Sequence, residues 1–141
     1  MKITSREFAI QKHGSQMYGD KPYVYHLDQV VEEIYKLHTD KSIRDYKILE
    51  DIAYLHDTLE DTETCFREIE GLFGSVVANS VLTLTKQKGL KYDYYIRTLK
   101  RTFYALIVKI ADTRCNLKQS IIDDDENRIV KYAKQLMLLE E

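Results

Sequence analysis

"SVVANSVLTLTK", residues 75–86, admits two readings. Its β-branched valines and threonines suit a strand. Its apolar residues Val77, Val81 and Leu84 fall on one face at helical spacing. A strand needs a partner, and no partner strand is visible elsewhere, so the stretch is read as a helix. The chain as a whole then reads as all-α.

Outward from there, Gly (5) and Pro (1) are scarce, so breaks are few. A first helix is expected over 4–16, capped by Thr4 or Ser5, and "GSQMYGDKPYVY" is expected to be a loop. A second helix spans about 26–37, with Leu27, Val30, Val31, Ile34 and Leu37 on one stripe. A third runs from Ile43 to Leu59. Thr62 caps a short fourth helix that ends near Gly71 to Gly74. "KQKGLK" is a basic loop, and residues 92–100 are helical. "FYALIVKIADTRCNL" is a long helix that turns polar at Asp112. "DDDEN", residues 123–127, is a surface connection and cap before a last helix over 127–139.

The 141 residues suit one domain, 1–141, a single helical bundle. Lys plus Arg is 21 and Asp plus Glu 23, a net charge of −2, which gives no general electrostatic reason to bind nucleic acid or membranes. No apolar run approaches the roughly 18 residues that span a bilayer. The first residues show no signal-peptide core, so a cytoplasmic protein is expected. Cys65 and Cys115 make no metal clip and read as buried free thiols. The last amphipathic helix could dock on its own domain or on a second subunit, so a homo-oligomer is possible.

"DIAYLHDTLEDT", residues 51–62, carries a histidine and three carboxylates out of a core-like run. His56 and Asp57 point about 100° apart on a helix, yet both can reach an ion beside it. Glu60 follows His56 by four residues and Asp61 follows Asp57 by four, so they stack one turn later. Such crowding of acids calls for a positive partner, and a divalent cation would serve. His26 opens the second helix and Asp112 ends the apolar run "ALIVKIA". His26, His56, Asp57 and Asp112 would form a mixed imidazole–carboxylate set, suited to Mn2+, Fe2+ or Zn2+. A metal there would lower the pKa of water and polarise a phosphoryl oxygen.

These segments resemble the HD superfamily of metal-dependent phosphohydrolases, and most closely the hydrolase domain of RelA/SpoT-type enzymes. "KHGSQMYGDKPYVYH" resembles that family's "H-x-x-Q" followed by "PY-x-x-H". "YLHDTLEDT" resembles "LLHDTVEDT". "EIEGLFGSVVANSVLTLTK" resembles its "FG-x-x-VA" and "LTK" run, and "VKIADTRCNL" resembles "VKLADRLHNL". The likeness runs in order from about residue 7 to 117. It implies an all-α HD domain of the short, stand-alone type that removes the 3′-pyrophosphate of guanosine tetraphosphate (ppGpp).

By position, the resemblance implies His26, His56, Asp57 and Asp112 as metal ligands and Glu60 and Asp61 as the pair that positions the attacking water. Asn116 would help hold the nucleoside, and Lys88 and Lys109 could meet phosphate. The family usually has Arg-Lys after the glutamine. Here Gln16 precedes Met17 and Tyr18, which leaves Tyr18 to stack on a base. His13, which matches the family's entry histidine, reads as a helix-end residue or one that supports the ligands rather than as a ligand, and His38 as a surface cap, while Tyr92, Tyr94 and Tyr95 read as packing. Two other functions fit the same residues, a nucleoside monophosphate phosphatase and a nucleotide-binding module without turnover.

Overall fold

Helix α1 spans Ser5–His13 in the computed structural model, which describes residues 2–141. The Thr4 hydroxyl accepts from the Glu7 backbone N–H at 3.1 Å and starts the helix. Gly14, at φ 55°, ends it three residues short of expectation. The expected loop contains a small antiparallel hairpin, β1 (Met17–Tyr18) and β2 (Lys21–Pro22), turning at Gly19, φ 63°. Pro22, with φ −58°, leads into α2 (Tyr23–Leu37). The helix therefore starts three residues before His26, and Tyr23 lies one turn ahead of it.

Helix α3 (Ile43–Leu55) starts at Ser42, whose hydroxyl accepts from the Asp45 N–H. It does not run on to Leu59. His56 Nδ1 bonds the Ala53 carbonyl at 2.7 Å, and the Thr58 hydroxyl bonds the Leu55 carbonyl at 2.7 Å. Those are the carbonyls that the N–H groups of residues 57 and 59 would take in a continuous helix. The chain breaks at His56–Asp57 and resumes as α4 (Thr58–Asp61).

Thr62 does not cap the next helix, because its hydroxyl turns back to the Thr58 carbonyl. Helix α5 (Phe66–Phe73) begins after Cys65, whose N–H is taken by Glu68. At that position Cys65 is exposed, whereas Cys115 is buried and its thiol is pushed up to about 12 by that burial.

Helix α6 (Ser75–Leu84) settles the ambiguous stretch, with Val77, Val81 and Leu84 buried together. Then come α7 (Tyr92–Lys100), α8 (Phe103–Ile122) and α9 (Glu126–Glu140), the last capped by Asp125. Helix α8 packs on α2, α3, α6, α7 and α9. Leu27, Ile34, Leu49, Ile52, Leu55, Leu99 and Val108 form the centre of the core, all at most 2% exposed. Among the described residues the fold is all-α apart from the hairpin, and no helix is long and apolar enough to cross a membrane. The first turn of α2, the α3–α4 break and the middle of α8 meet at one place.

Candidate metal centre

His26, His56 and Asp112 converge at that meeting point. Each offers one ligand atom, and the three atoms lie within 4.8 Å of one another. All three residues are buried. Asp112 Oδ1 is 2.8 Å from His26 Nε2 and 3.4 Å from His56 Nε2. It also accepts from Asn116 Nδ2 at 3.2 Å. Lys109 Nζ lies 3.4 Å from the other oxygen.

Asp57 stands beside the trio rather than within it. Its Oδ2 is 3.1 Å from His56 Nε2 and accepts a short hydrogen bond from the Tyr23 hydroxyl. That bond comes from the first turn of α2, which the expected helix start had left out. Tyr23 is the residue that sequence reading missed. Its signal was available, since it stands three residues before His26 on one helix face.

The residues fit a cation. His56 Nδ1–H is committed to the Ala53 carbonyl, which leaves the lone pair of the neutral ring on Nε2. That Nε2 is buried, has no hydrogen-bond partner among the described residues and faces two carboxylates. A proton competes for that lone pair: burial opposes a charge on His56, but Asp57 and Asp112 override it and hold its pKa well above the ordinary value, so Nε2 favours either a proton or a cation in its place. Burial likewise opposes ionisation of Asp112, and His56 and Lys109 overcome it, holding the carboxyl well below the usual range. The pocket is thus built for positive charge between the carboxylates.

Glu60 and Asp61 are both exposed at the end of α4. Glu60 Oε1 accepts from the Lys86 backbone N–H at 3.0 Å, and Asp61 Oδ2 accepts from Gln16 Nε2 at 3.3 Å. Each acid is anchored by one oxygen. Burial raises the pKa of Tyr23, and Asp57, whose carboxylate takes its hydroxyl proton in a hydrogen bond, raises it further, with Asp112 and Asp61 adding to it. Tyr95, buried against α6, is pushed up to about 12 by burial, with Glu60, Asp112 and Asp57 adding to it. Tyr92 and Tyr94 lie outside this group: Tyr92 accepts from Gln135 at 2.9 Å and Tyr94 is exposed.

Tyr18 stacks on His26, with ring centres 4.4 Å apart at 12°, and its hydroxyl donates to Asn116 Oδ1 at 2.7 Å. One face of the tyrosine expected to meet a base therefore covers a candidate ligand. A cavity of about 600 Å3 opens beside it, with Met17, Lys21, Tyr25 and Arg128 in its lining. Arg128, on α9, is paired with Asp123 at 3.0 Å. Lys109 is largely buried. Burial works against its charge, and Asp112, Tyr95 and Asp57 keep it protonated, so its partner here is Asp112. Lys88 is exposed in the loop after α6. His38 ends α2 through its backbone N–H to Ile34; burial, with Lys41, lowers its pKa, which does not suit a cap charged to meet the helix dipole.

No family model matches the chain. The guanosine-3′,5′-bis(diphosphate) 3′-pyrophosphohydrolase MESH1 of Danio rerio is 34% identical over 119 residues, 79% of this chain and 64% of that protein. Its namesake in Xenopus tropicalis is 35% identical over 124 residues, 82% of this chain and 67% of that protein. A guanosine-3′,5′-bis(diphosphate) 3′-pyrophosphohydrolase of Aquifex aeolicus is 34% identical over 93% of this chain, which spans only 19% of that protein. A solved structure of a metazoan ortholog of SpoT that hydrolyzes ppGpp matches with a TM-score of 0.75 at 24% identity, covering 96% of this chain and 83% of that one. The chain belongs to the MESH1 family of guanosine-3′,5′-bis(diphosphate) 3′-pyrophosphohydrolases, and it spans under two thirds of the Danio rerio member.

Proposed function

We propose that the chain is a metal-dependent hydrolase that releases pyrophosphate from the 3′ position of guanosine 3′,5′-bis(diphosphate). The observation that carries the reading is the bare, buried His56 Nε2 facing the carboxylates of Asp57 and Asp112, with His26 alongside. Family membership supports the choice of substrate.

His26, His56, Asp57 and Asp112 would hold the ion, Mn2+ first and Fe2+ or Zn2+ next by donor type. When bound, the ion supplies Lewis-acid polarisation of a phosphoryl oxygen and a lowered pKa for water. The chain's own residues do the rest. Tyr23 fixes the direction of Asp57, and the Ala53 carbonyl fixes the His56 tautomer. Glu60 and Asp61, each held by one oxygen, would use the other to orient the attacking water and take its proton. Water attacks the phosphorus attached to the 3′ oxygen. That P–O bond breaks, pyrophosphate leaves, and the 3′ oxygen becomes a hydroxyl.

Asn116 would contact the nucleoside, and the cavity beside Tyr18 has room for one, since ligand sites commonly span about 300–1,000 Å3. Lys109 would offset charge near the phosphates while paired to Asp112, and Lys88 would approach them from its loop. The substrate is then a small nucleotide, and neither nucleic acid nor a membrane is needed as a partner.

The test is a nucleotide screen with protein stripped by chelator and reloaded with Mn2+. Pyrophosphate release from guanosine 3′,5′-bis(diphosphate), lost on chelation and restored by Mn2+, is expected. Release of monophosphate instead would favour a phosphatase, and metal binding without turnover of any nucleotide would favour a binding module.

A further inference from the structure

We infer that Gln16 is a positioning residue, orienting Asp61 through a hydrogen-bond chain that starts at His13. The inference rests on the hydrolase reading above. Gln16 Nε2 lies 3.3 Å from Asp61 Oδ2 and Gln16 Oε1 lies 2.7 Å from His13 Nδ1, so one amide bridges two side chains.

The polarity of the chain follows from chemistry. An ionised Asp61 can only accept, so the amide NH2 faces it and the amide oxygen faces His13. His13 Nδ1 is therefore the donor. The histidine is 8% exposed and packs on the Tyr23 ring at 4.5 Å. Its Nε2 is buried without a partner among the described residues, so Gln16 is the side chain that holds the ring by a hydrogen bond.

The side chain of Gln16 is not needed to hold the turn. Its backbone N–H donates to the His13 carbonyl at 3.0 Å, and its carbonyl accepts from the Tyr23 N–H at 3.2 Å. What the amide adds is direction at Asp61. That acid sits at the exposed end of a four-residue helix, one turn after Asp57, whose like charge repels it. Occupying Oδ2 presents Oδ1 to the water. At 3.3 Å the bond steers the carboxylate rather than locking it.

The experiment is steady-state pyrophosphate release by the Mn2+-loaded full chain and its Gln16→Met and Gln16→Glu variants, with melting temperatures recorded. Gln16→Met is expected to lower kcat about tenfold or more with KM and melting unchanged. Gln16→Glu, which cannot donate and adds a like charge, is expected to be worse. In an Asp61→Asn background, Gln16→Met is expected to have no further effect, because both act on one group. A merely structural role would lower melting and act equally in both backgrounds. Wild-type turnover with unchanged kcat in Gln16→Met, or additive losses in the cycle, would overturn the inference alone. No turnover by the wild type would overturn the hydrolase reading with it.

Discussion

At the scale of single residues, the proposed centre depends on how each candidate ligand's far side is held. His56 donates its Nδ1–H to the Ala53 carbonyl, and Asp57 accepts from the Tyr23 hydroxyl. Such outer partners commonly tune metal affinity by about 10–100-fold. Tyr23→Phe keeps the ring that packs on His13 and removes only the hydroxyl. It is expected to weaken Mn2+ binding by about 10-fold or more in a calorimetric titration, with folding intact. His56 and Asp112 were legible in the sequence because each interrupts an apolar run. Tyr23 was not singled out. A tyrosine in a chain with 11 of them carries no mark of its own, and the apolar stripe places the helix start three residues too late. The stacking of Tyr18 on His26 depends on a hairpin of two-residue strands, too short to show a period.

At the scale of elements, the helical faces were legible and the α3–α4 break was not. The apolar spacing Ile48, Ile52, Leu55, Leu59 runs straight through it. What stops the helix is a pair of side chains taking backbone carbonyls, an event that hydrophobic periodicity does not register. The break matters because it sets His56 against Asp112 on α8 and Asp57 against Tyr23 on α2.

A second element-level device clamps α2 to α8. Glu33, 4% exposed on α2, accepts from Arg114 at 2.9 Å and Lys118 at 2.6 Å on α8. Burial pushes its carboxyl up, and the bonds to Lys118 and Arg114 outweigh that and hold it below the usual glutamate value. Because the folded value is depressed, the clamp's contribution is complete above the unfolded pKa of about 4.3 and fades as pH falls below it. Glu33→Gln is expected to cost about 1.5–3 kcal/mol near pH 7 by urea denaturation. The gap to wild type is expected to narrow as pH drops below about 4. An equal gap at both pH values would remove the charge from this explanation.

At the scale of the whole molecule, the centre ties together segments far apart in sequence. His26 and Asp112 are 86 residues apart and touch. An ion held there would bind the folded chain and not the unfolded one, so it would stabilise the fold by mass action, about 2.7 kcal/mol at a hundredfold excess over Kd. Mn2+ is expected to raise the melting temperature by several degrees, chelator to reverse it, and His56→Ala to abolish the response. The all-α architecture was readable from spacing, since even the β-branched stretch at 75–86 kept its buried residues on one face. The cavity beside Tyr18 was not. Its walls come from the hairpin, α2, the end of α8 and the start of α9, which only the tertiary fold brings together.

The most direct measurement is pyrophosphate release from guanosine 3′,5′-bis(diphosphate) by wild type and Asp57→Ala, each with its bound Mn2+ counted. Wild type is expected to bind Mn2+ and yield guanosine 5′-diphosphate and pyrophosphate, and Asp57→Ala to lose both the metal and the turnover. Full turnover by Asp57→Ala, or none by metal-loaded wild type, would contradict a metal-dependent hydrolase built on this centre.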